Sequence, residues 1–202
     1  MPGCLLCALI SSHVRRSIEF LLWERVNDPC FRAEWRAAVG FCHRHAWMLA
    51  ERQDEFGTAI LYLDLYKSYG EGLTVRRPGD SCSLCNEEAA TFKFVLQEMQ
   101  RRWDEPAFAT AIRECDGLCL PHLRMVRRRL QVSGRRGCLP REILNALTDA
   151  TLRTLRQLPG DLHQLIESFD YQHTRATDLR IKLSWRRAIE QLAGSRYAPA
   201  PE

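Results

Sequence analysis

Eight side chains carry the chemistry most readily available to this chain. Cys4 and Cys7 form a Cys-x-x-Cys pair, Cys42 and His45 a Cys-x-x-His pair, and the same two half-motifs recur as Cys82/Cys85 and Cys119/His122. The halves are separated by 34 residues in the first copy and 33 in the second, so a single-residue deletion superposes them. Thiolate and imidazole suit a tetrahedral zinc ion, and residues three apart share one face of a helix. Each half-motif is therefore expected to open a helix, where the helix dipole favours thiolate over thiol. The expected sites are two Cys3His quartets, each closed within its own copy and holding one zinc, with a helical hairpin bringing Cys42 and His45 back to Cys4 and Cys7. An iron–sulfur cluster is the alternative, since residue spacing does not separate the two. Four protein ligands per site leave no open position for a catalytic zinc.

The repeat also chooses among neighbours. His43 aligns with Leu120 and His45 with His122, which makes His45 the ligand. Cys115 aligns with Ala38, and Cys30 and Cys138 have no cysteine counterpart, so these three thiols are read as packing or incidental. Agreement extends beyond the ligands: Phe31 falls on Phe108, Gly40 on Gly117, Met48 on Met125 and Arg52 on Arg129.

The elements that must position these residues read as helices throughout. Leu6, Ile10, Val14, Ile18, Leu21 and Leu22 recur at helical spacing, predicting one helix over 4–26, roughly 34 Å long. Asp28-Pro29 stops it and starts a second helix to about Val39. Further helices are predicted over 42–53 and 58–69, and the glycines and proline of 70–80 mark a linker. The second copy repeats the pattern with a helix over 82–103, stopped by Glu105-Pro106. Beyond Gly137 helices are expected over 140–158, broken at Pro159-Gly160, then from Asp161 as cap to Phe169, then over 178–192. No stretch alternates like a strand. The expectation is an all-α fold: a first repeat over 1–75, a second over 76–137 in a pseudo-twofold pair, C-terminal helices over 138–194 and a frayed tail over 195–202, all packed as one globular unit.

Composition is that of a globular protein, 46% hydrophobic and 27% charged in 202 residues. A formal charge of +4 is too small to imply nucleic acid on its own. Arg124, Arg127, Arg128, Arg129, Arg135 and Arg136 cluster within thirteen residues. They form either a solvated helix face or a surface for phosphates or another anionic partner. Tyr62, Tyr66 and Tyr69 are read as core, Asp64 as one side of a structural ion pair, and His13 as surface. No secretory segment precedes Cys4 and no apolar run spans a membrane, so cytoplasmic localisation without membrane association is expected. Reduced thiols in that compartment favour metal over disulfides. No nucleophile–base pair, phosphate loop or nucleotide fingerprint is present. The role expected is a binding or adaptor module, with another protein as first partner and nucleic acid as second. A redox or metal-handling role is the rival from another class, and an enzyme ranks below both.

Cys-Leu-Leu-Cys at residues 4–7, Trp-Glu-Arg-Val-Asn-Asp-Pro at 23–29 and Gly-Phe-Cys-His-Arg-His-Ala-Trp at 40–47 resemble a prokaryotic family known only as a domain of unknown function. Ala59–Leu65, Phe169-Asp170-Tyr171 and Ser184–Ala188 share the likeness, which covers most of 4–194. The resemblance implies a duplicated Cys/His protein and no particular activity.

Overall fold

The computed structural model describes residues 3–70, 82–132, 140–169 and 178–196. The fold is all-α, with no strand among the described residues. The linker expected beyond Gly70 and the tail beyond residue 196 lie outside the described residues, as do Arg135, Arg136, Cys138, Asp170, Tyr171 and the side chain of Tyr69.

Helix α1 spans Leu5–Phe20 and continues as a π-helical turn over Leu21–Arg25. The apolar stripe is its cause: Leu6, Ile10, Val14, Ile18, Leu21, Leu22 and Val26 are all buried. The wider π turn accommodates Leu21 and Leu22, adjacent in sequence, both on the inner side, while Phe20 and Trp23 stay exposed. Asp28 stops the chain and caps the next helix, its Oδ1 accepting from Cys30 N at 2.9 Å, with Pro29 at the first helical position. That helix, α2, covers Pro29–Ala37, followed by α3 over His43–Ala50 and α4 over Glu55–Gly70. The second copy supplies α5 (Ser83–Arg101), α6 (Pro106–Glu114) and α7 (Leu120–Val132). Then come α8 (Arg141–Glu167), α9 (Leu179–Lys182) and α10 (Ser184–Ala193).

The chain divides into two compact units, one of Met1–Leu9 with Lys93–Glu202 and one of Ile10–Phe92. In the Ile10–Phe92 unit α4 packs on α2. Trp35 is the centre of that contact: it meets Phe41 edge-on with centroids 4.7 Å apart and donates from Nε1 to Leu61 O at 3.1 Å. Asp64 on α4 binds Arg32 at 2.7 Å and Arg36 at 2.6 Å on α2, the structural ion pair expected of it. Of the tyrosines read as core, Tyr62 is half-buried against Trp35, but Tyr66 is 73% exposed. One turn further along α4, Tyr66 has passed beyond the reach of α2's aromatic side.

In the other unit α8 packs on α6 as α4 does on α2, and α9 and α10 pack on α8. Helix α8, which the sequence pattern places among the C-terminal helices, thus stands to α6 as α4 does to α2. Helix α8 also runs unbroken through Pro159 and Gly160, against the predicted interruption. Proline inside a helix costs one backbone hydrogen bond and a ring clash, about 3 kcal/mol, and tertiary bonds just beyond it offset that cost. Asp161 does not cap a new helix. It is buried, bound by Arg180 at 3.1 Å and Arg187 at 3.3 Å, and its carbonyl accepts from Ser184 Oγ at 3.4 Å.

The aligned glycines Gly40 and Gly117 both have left-handed φ, +77° and +80°, at the corner before the Cys-x-x-His half-motif. At Gly117 a Cβ would lie 2.4 Å from Thr151 N, whereas at Gly160 it would meet nothing within 4 Å. Gly117→Ala should therefore lower stability by at least about 2 kcal/mol, from left-handed strain plus a backbone clash. Gly160→Ala should be neutral or raise it by up to about 1 kcal/mol, as expected within a helix. Urea denaturation of the two variants checks both signs.

Candidate metal centres

All eight motif residues stand at helix beginnings, as their spacing predicts. Cys4 and Cys7 lie at the start of α1, Cys42 and His45 at that of α3, Cys82 and Cys85 at that of α5, and Cys119 and His122 at that of α7. The first residue of each pair also starts the helical ladder: Cys4 O accepts from Ala8 N, Cys42 O from Ala46 N, Cys82 O from Asn86 N and Cys119 O from Leu123 N.

The grouping differs from the expectation. Cys4 and Cys7 gather with Cys119 and His122, while Cys42 and His45 gather with Cys82 and Cys85. Each cluster takes its Cys-x-x-Cys from one copy and its Cys-x-x-His from the other, so the within-copy quartets are corrected to exchanged ones. Helix lengths supply the reason. The α1 helix and its π turn rise roughly 30 Å, while the nine residues of α2 bring the chain back only about 14 Å. The first copy's Cys-x-x-His is thus left short of its own Cys-x-x-Cys. Helix α5 begins beside the second half of α1, with His13 Nε2 3.8 Å from Glu87, and so delivers Cys82 and Cys85 to Cys42 and His45.

In both clusters the four ligand atoms lie within 4.8 Å of one another. In the first, His122 Nδ1 is 3.5 Å from Cys4 Sγ, 3.2 Å from Cys7 Sγ and 3.3 Å from Cys119 Sγ, and Cys7 Sγ is 3.7 Å from Cys119 Sγ. In the second, His45 Nδ1 is 3.2 Å from Cys42 Sγ, 3.4 Å from Cys82 Sγ and 3.5 Å from Cys85 Sγ, and Cys42 Sγ is 3.6 Å from Cys85 Sγ. A tetrahedral ion with zinc's bond lengths requires edges of about 3.8 Å between sulfurs and about 3.6 Å between sulfur and nitrogen. The observed edges match within a few tenths of an ångström, and the thiols are not disulfide-bonded. Both clusters can hold a metal ion.

The surroundings differ. Cys4, Cys7, Cys119 and His122 are all buried, whereas Cys42 and Cys85 are only half-buried. The loop into Cys119 is held by the helices after it: Leu118 N donates to Thr151 Oγ1 at 2.9 Å, and Leu118 O accepts from Gln191 Nε2 at 2.8 Å. The second cluster has instead a charged outer layer. His45 Nε2 lies 3.3 Å from Glu88 Oε1, and Arg44 grips the same carboxylate, with Nη1 2.6 Å from Oε1. Such a carboxylate sets negative charge against the outer edge of the imidazole. Sequence reading misses Glu88, although it stands three residues after Cys85 and therefore on the same helix face; Ile10 occupies the matching place in the first copy. Of the remaining candidates, Cys30 is exposed, and Cys115 donates to Ile112 O at 3.0 Å and belongs to neither cluster. Arg124, Arg127, Arg128 and Arg129 are exposed on α7.

The model of a Family of unknown function (DUF6062) matches residues 1–78 and 73–199. The chain belongs to this family. It is also 26% identical over 205 residues to an uncharacterized 23.9 kDa protein in the xynA 3' region of Caldicellulosiruptor sp. (strain Rt8B.4), with 96% of each chain covered. No solved structure matches. No helix among the described residues is long and apolar enough to cross a membrane.

Protons occupy these clusters unevenly when no ion holds the ligands. Burial opposes charge on His45, yet Cys82 and Glu88 raise its pKa to about 9; burial likewise opposes charge on His122, and Cys4 and Cys7 raise it to about 9. Burial, with Cys82 and Cys42 alongside, pushes the Cys85 thiol up to about 12, while hydrogen bonds from Cys119 and Cys4 depress that of Cys7. A metal ion needs thiolates and neutral imidazole, so at pH 7 its uptake must displace at least the imidazolium proton and one thiol proton. Metal-free protein titrated with zinc in weak buffer should release about two or more protons per ion, and affinity should fall as pH is lowered. Uptake without acidification, read with an indicator dye, would contradict this.

Proposed function

We propose that the chain is a zinc-pinned helical scaffold that presents its surfaces to another protein, with two structural zinc ions. The observation that carries this reading is the pair of closed Cys3His clusters, whose edges match a single tetrahedral ion and which contribute four ligands each. Ligand atoms all within 4.8 Å of one another suit one ion. A multinuclear iron–sulfur cluster interposes irons and sulfides among its thiolates and spreads them further apart. The complete ligand set leaves no position for substrate, which favours a structural over a catalytic role. The physical consequence is large: a structural zinc contributes about 10–16 kcal/mol of apparent binding energy in small domains, comparable with the whole stability of a typical domain, about 5–15 kcal/mol.

Elemental analysis of the purified protein should give two zinc ions per chain and a colourless solution. Stripping them with a strong chelator should abolish cooperative thermal unfolding and much of the helical circular dichroism at 222 nm. Cys30→Ala, at an exposed thiol outside both clusters, should change stability by less than about 1 kcal/mol. Absorbance near 400 nm with iron in place of zinc, or a stripped protein that keeps its full melting transition, would overturn the reading.

A further inference from the structure

Helix α10 is packed with its polar side inward. Ser184 and Gln191 are buried, Arg187 reaches Asp161, and Gln191 holds the carbonyl next to Cys119. Its large apolar side chains point the other way: Trp185, Ile189 and Leu192 are 54%, 57% and 59% exposed. An amphipathic helix of a self-sufficient domain buries its apolar stripe, so this orientation leaves a stripe with nothing of this chain's described residues upon it.

A second observation lies on α7, which packs against α10 in the same unit. Arg124, Arg127 and Arg128 share the outer face of α7, three and four residues apart, and all are exposed. Among the described residues no carboxylate pairs with any of them, whereas Arg180, Arg186 and Arg187 each hold one. Two neighbouring helices therefore offer an apolar seam and, among the described residues, a row of positive charge with no carboxylate upon it.

We propose that this face of α7 and α10 docks an acidic amphipathic helix of another protein. The proposal rests on the scaffold reading above and names the partner's chemistry. The intervals of the stripe, four residues then three, are those of a coiled-coil seam and complement a facing helix; a lipid surface makes no demand on register. Three half-exposed side chains fall well short of the roughly 800 Å² per partner that a stable dimer buries. A second copy would also bring like charge to like, while carboxylates flanking an apolar seam would meet the arginines.

The test uses the full-length zinc-loaded protein and a fluorescein-labelled 21-residue helical peptide with Leu at heptad positions a and d and Glu at e and g, followed by fluorescence anisotropy. A matched peptide carries Lys at e and g, and vesicles of equal phosphatidylserine and phosphatidylcholine form a third arm. The acidic peptide should bind at least tenfold more tightly than the basic one. Ile189→Asp with Leu192→Asp should weaken binding at least tenfold, and Arg124→Glu with Arg127→Glu and Arg128→Glu should abolish the preference for acid. Equal affinity for the two peptides, or acidic-peptide binding indifferent to these substitutions, overturns the proposal. So does vesicle binding that the substitutions abolish without peptide binding, or a dimer in sedimentation that Ile189→Asp dissociates. Zinc content and helicity are measured on every sample. If two zincs and full helicity accompany failure to bind, the docking proposal alone falls; if wild-type protein lacks zinc, the scaffold reading falls with it.

Discussion

Every other feature depends on which cysteines and histidines gather into one cluster. Each cluster joins a Cys-x-x-Cys from one copy to a Cys-x-x-His from the other, so neither copy can complete a site from its own residues. The contacts span 112 residues in one case and 43 in the other. Loop-closure entropy grows only with the logarithm of length, so this difference amounts to about 1 kcal/mol. It is small beside the binding energy of a structural zinc, about 10–16 kcal/mol. What separates the two centres is their surroundings rather than the length of chain they close.

Those surroundings differ in which elements support each cluster. In the unit built on Lys93–Glu202, α8 presses Thr151 against the Gly117–Leu118 corner, and α10 adds a hydrogen bond from Gln191. The backbone leading into Cys119 is fixed at both the amide and the carbonyl of Leu118, and all four ligands are buried. In the other unit the matching corner packs against apolar side chains, with Gly40 under Trp35 and Leu65. There Glu88 and Arg44 lay charge beside the histidine, and the cluster reaches solvent at Cys42 and Cys85. The same residue pattern has a hydrogen-bonded, buried support in one place and an ionic one in the other.

Much of this is legible in the sequence, and the failures share a cause. Local signals read correctly: the α1 stripe, the Asp28 cap, helix starts at every half-motif, and His45 rather than His43 as the histidine gathered with the cysteines. What periodicity does not encode is the distance a chain travels between motifs. Spacing suggests a hairpin that closes each quartet within its own copy, yet α2 is far shorter than α1 and does not bring the chain back. Pro159-Gly160 reads as a break because proline's local cost is visible and the ion pairs of Asp161 with Arg180 and Arg187, formed from residues nineteen and twenty-six positions away, are not. Glu88 escapes notice because a carboxylate after a Cys-x-x-Cys becomes meaningful only once the opposing histidine is known. Tyr66 is misplaced because helical spacing does not tell where the supporting helix ends.

Zinc counting in paired cysteine variants tests the exchanged ligation most directly. Cys7→Ser with Cys119→Ser removes two ligands from one cluster, so this protein should retain one zinc per chain. Cys7→Ser with Cys42→Ser damages both clusters and should retain none. If the first pair loses both ions and the second keeps one, each ion is held within its own copy and the exchange of ligands between copies is refuted.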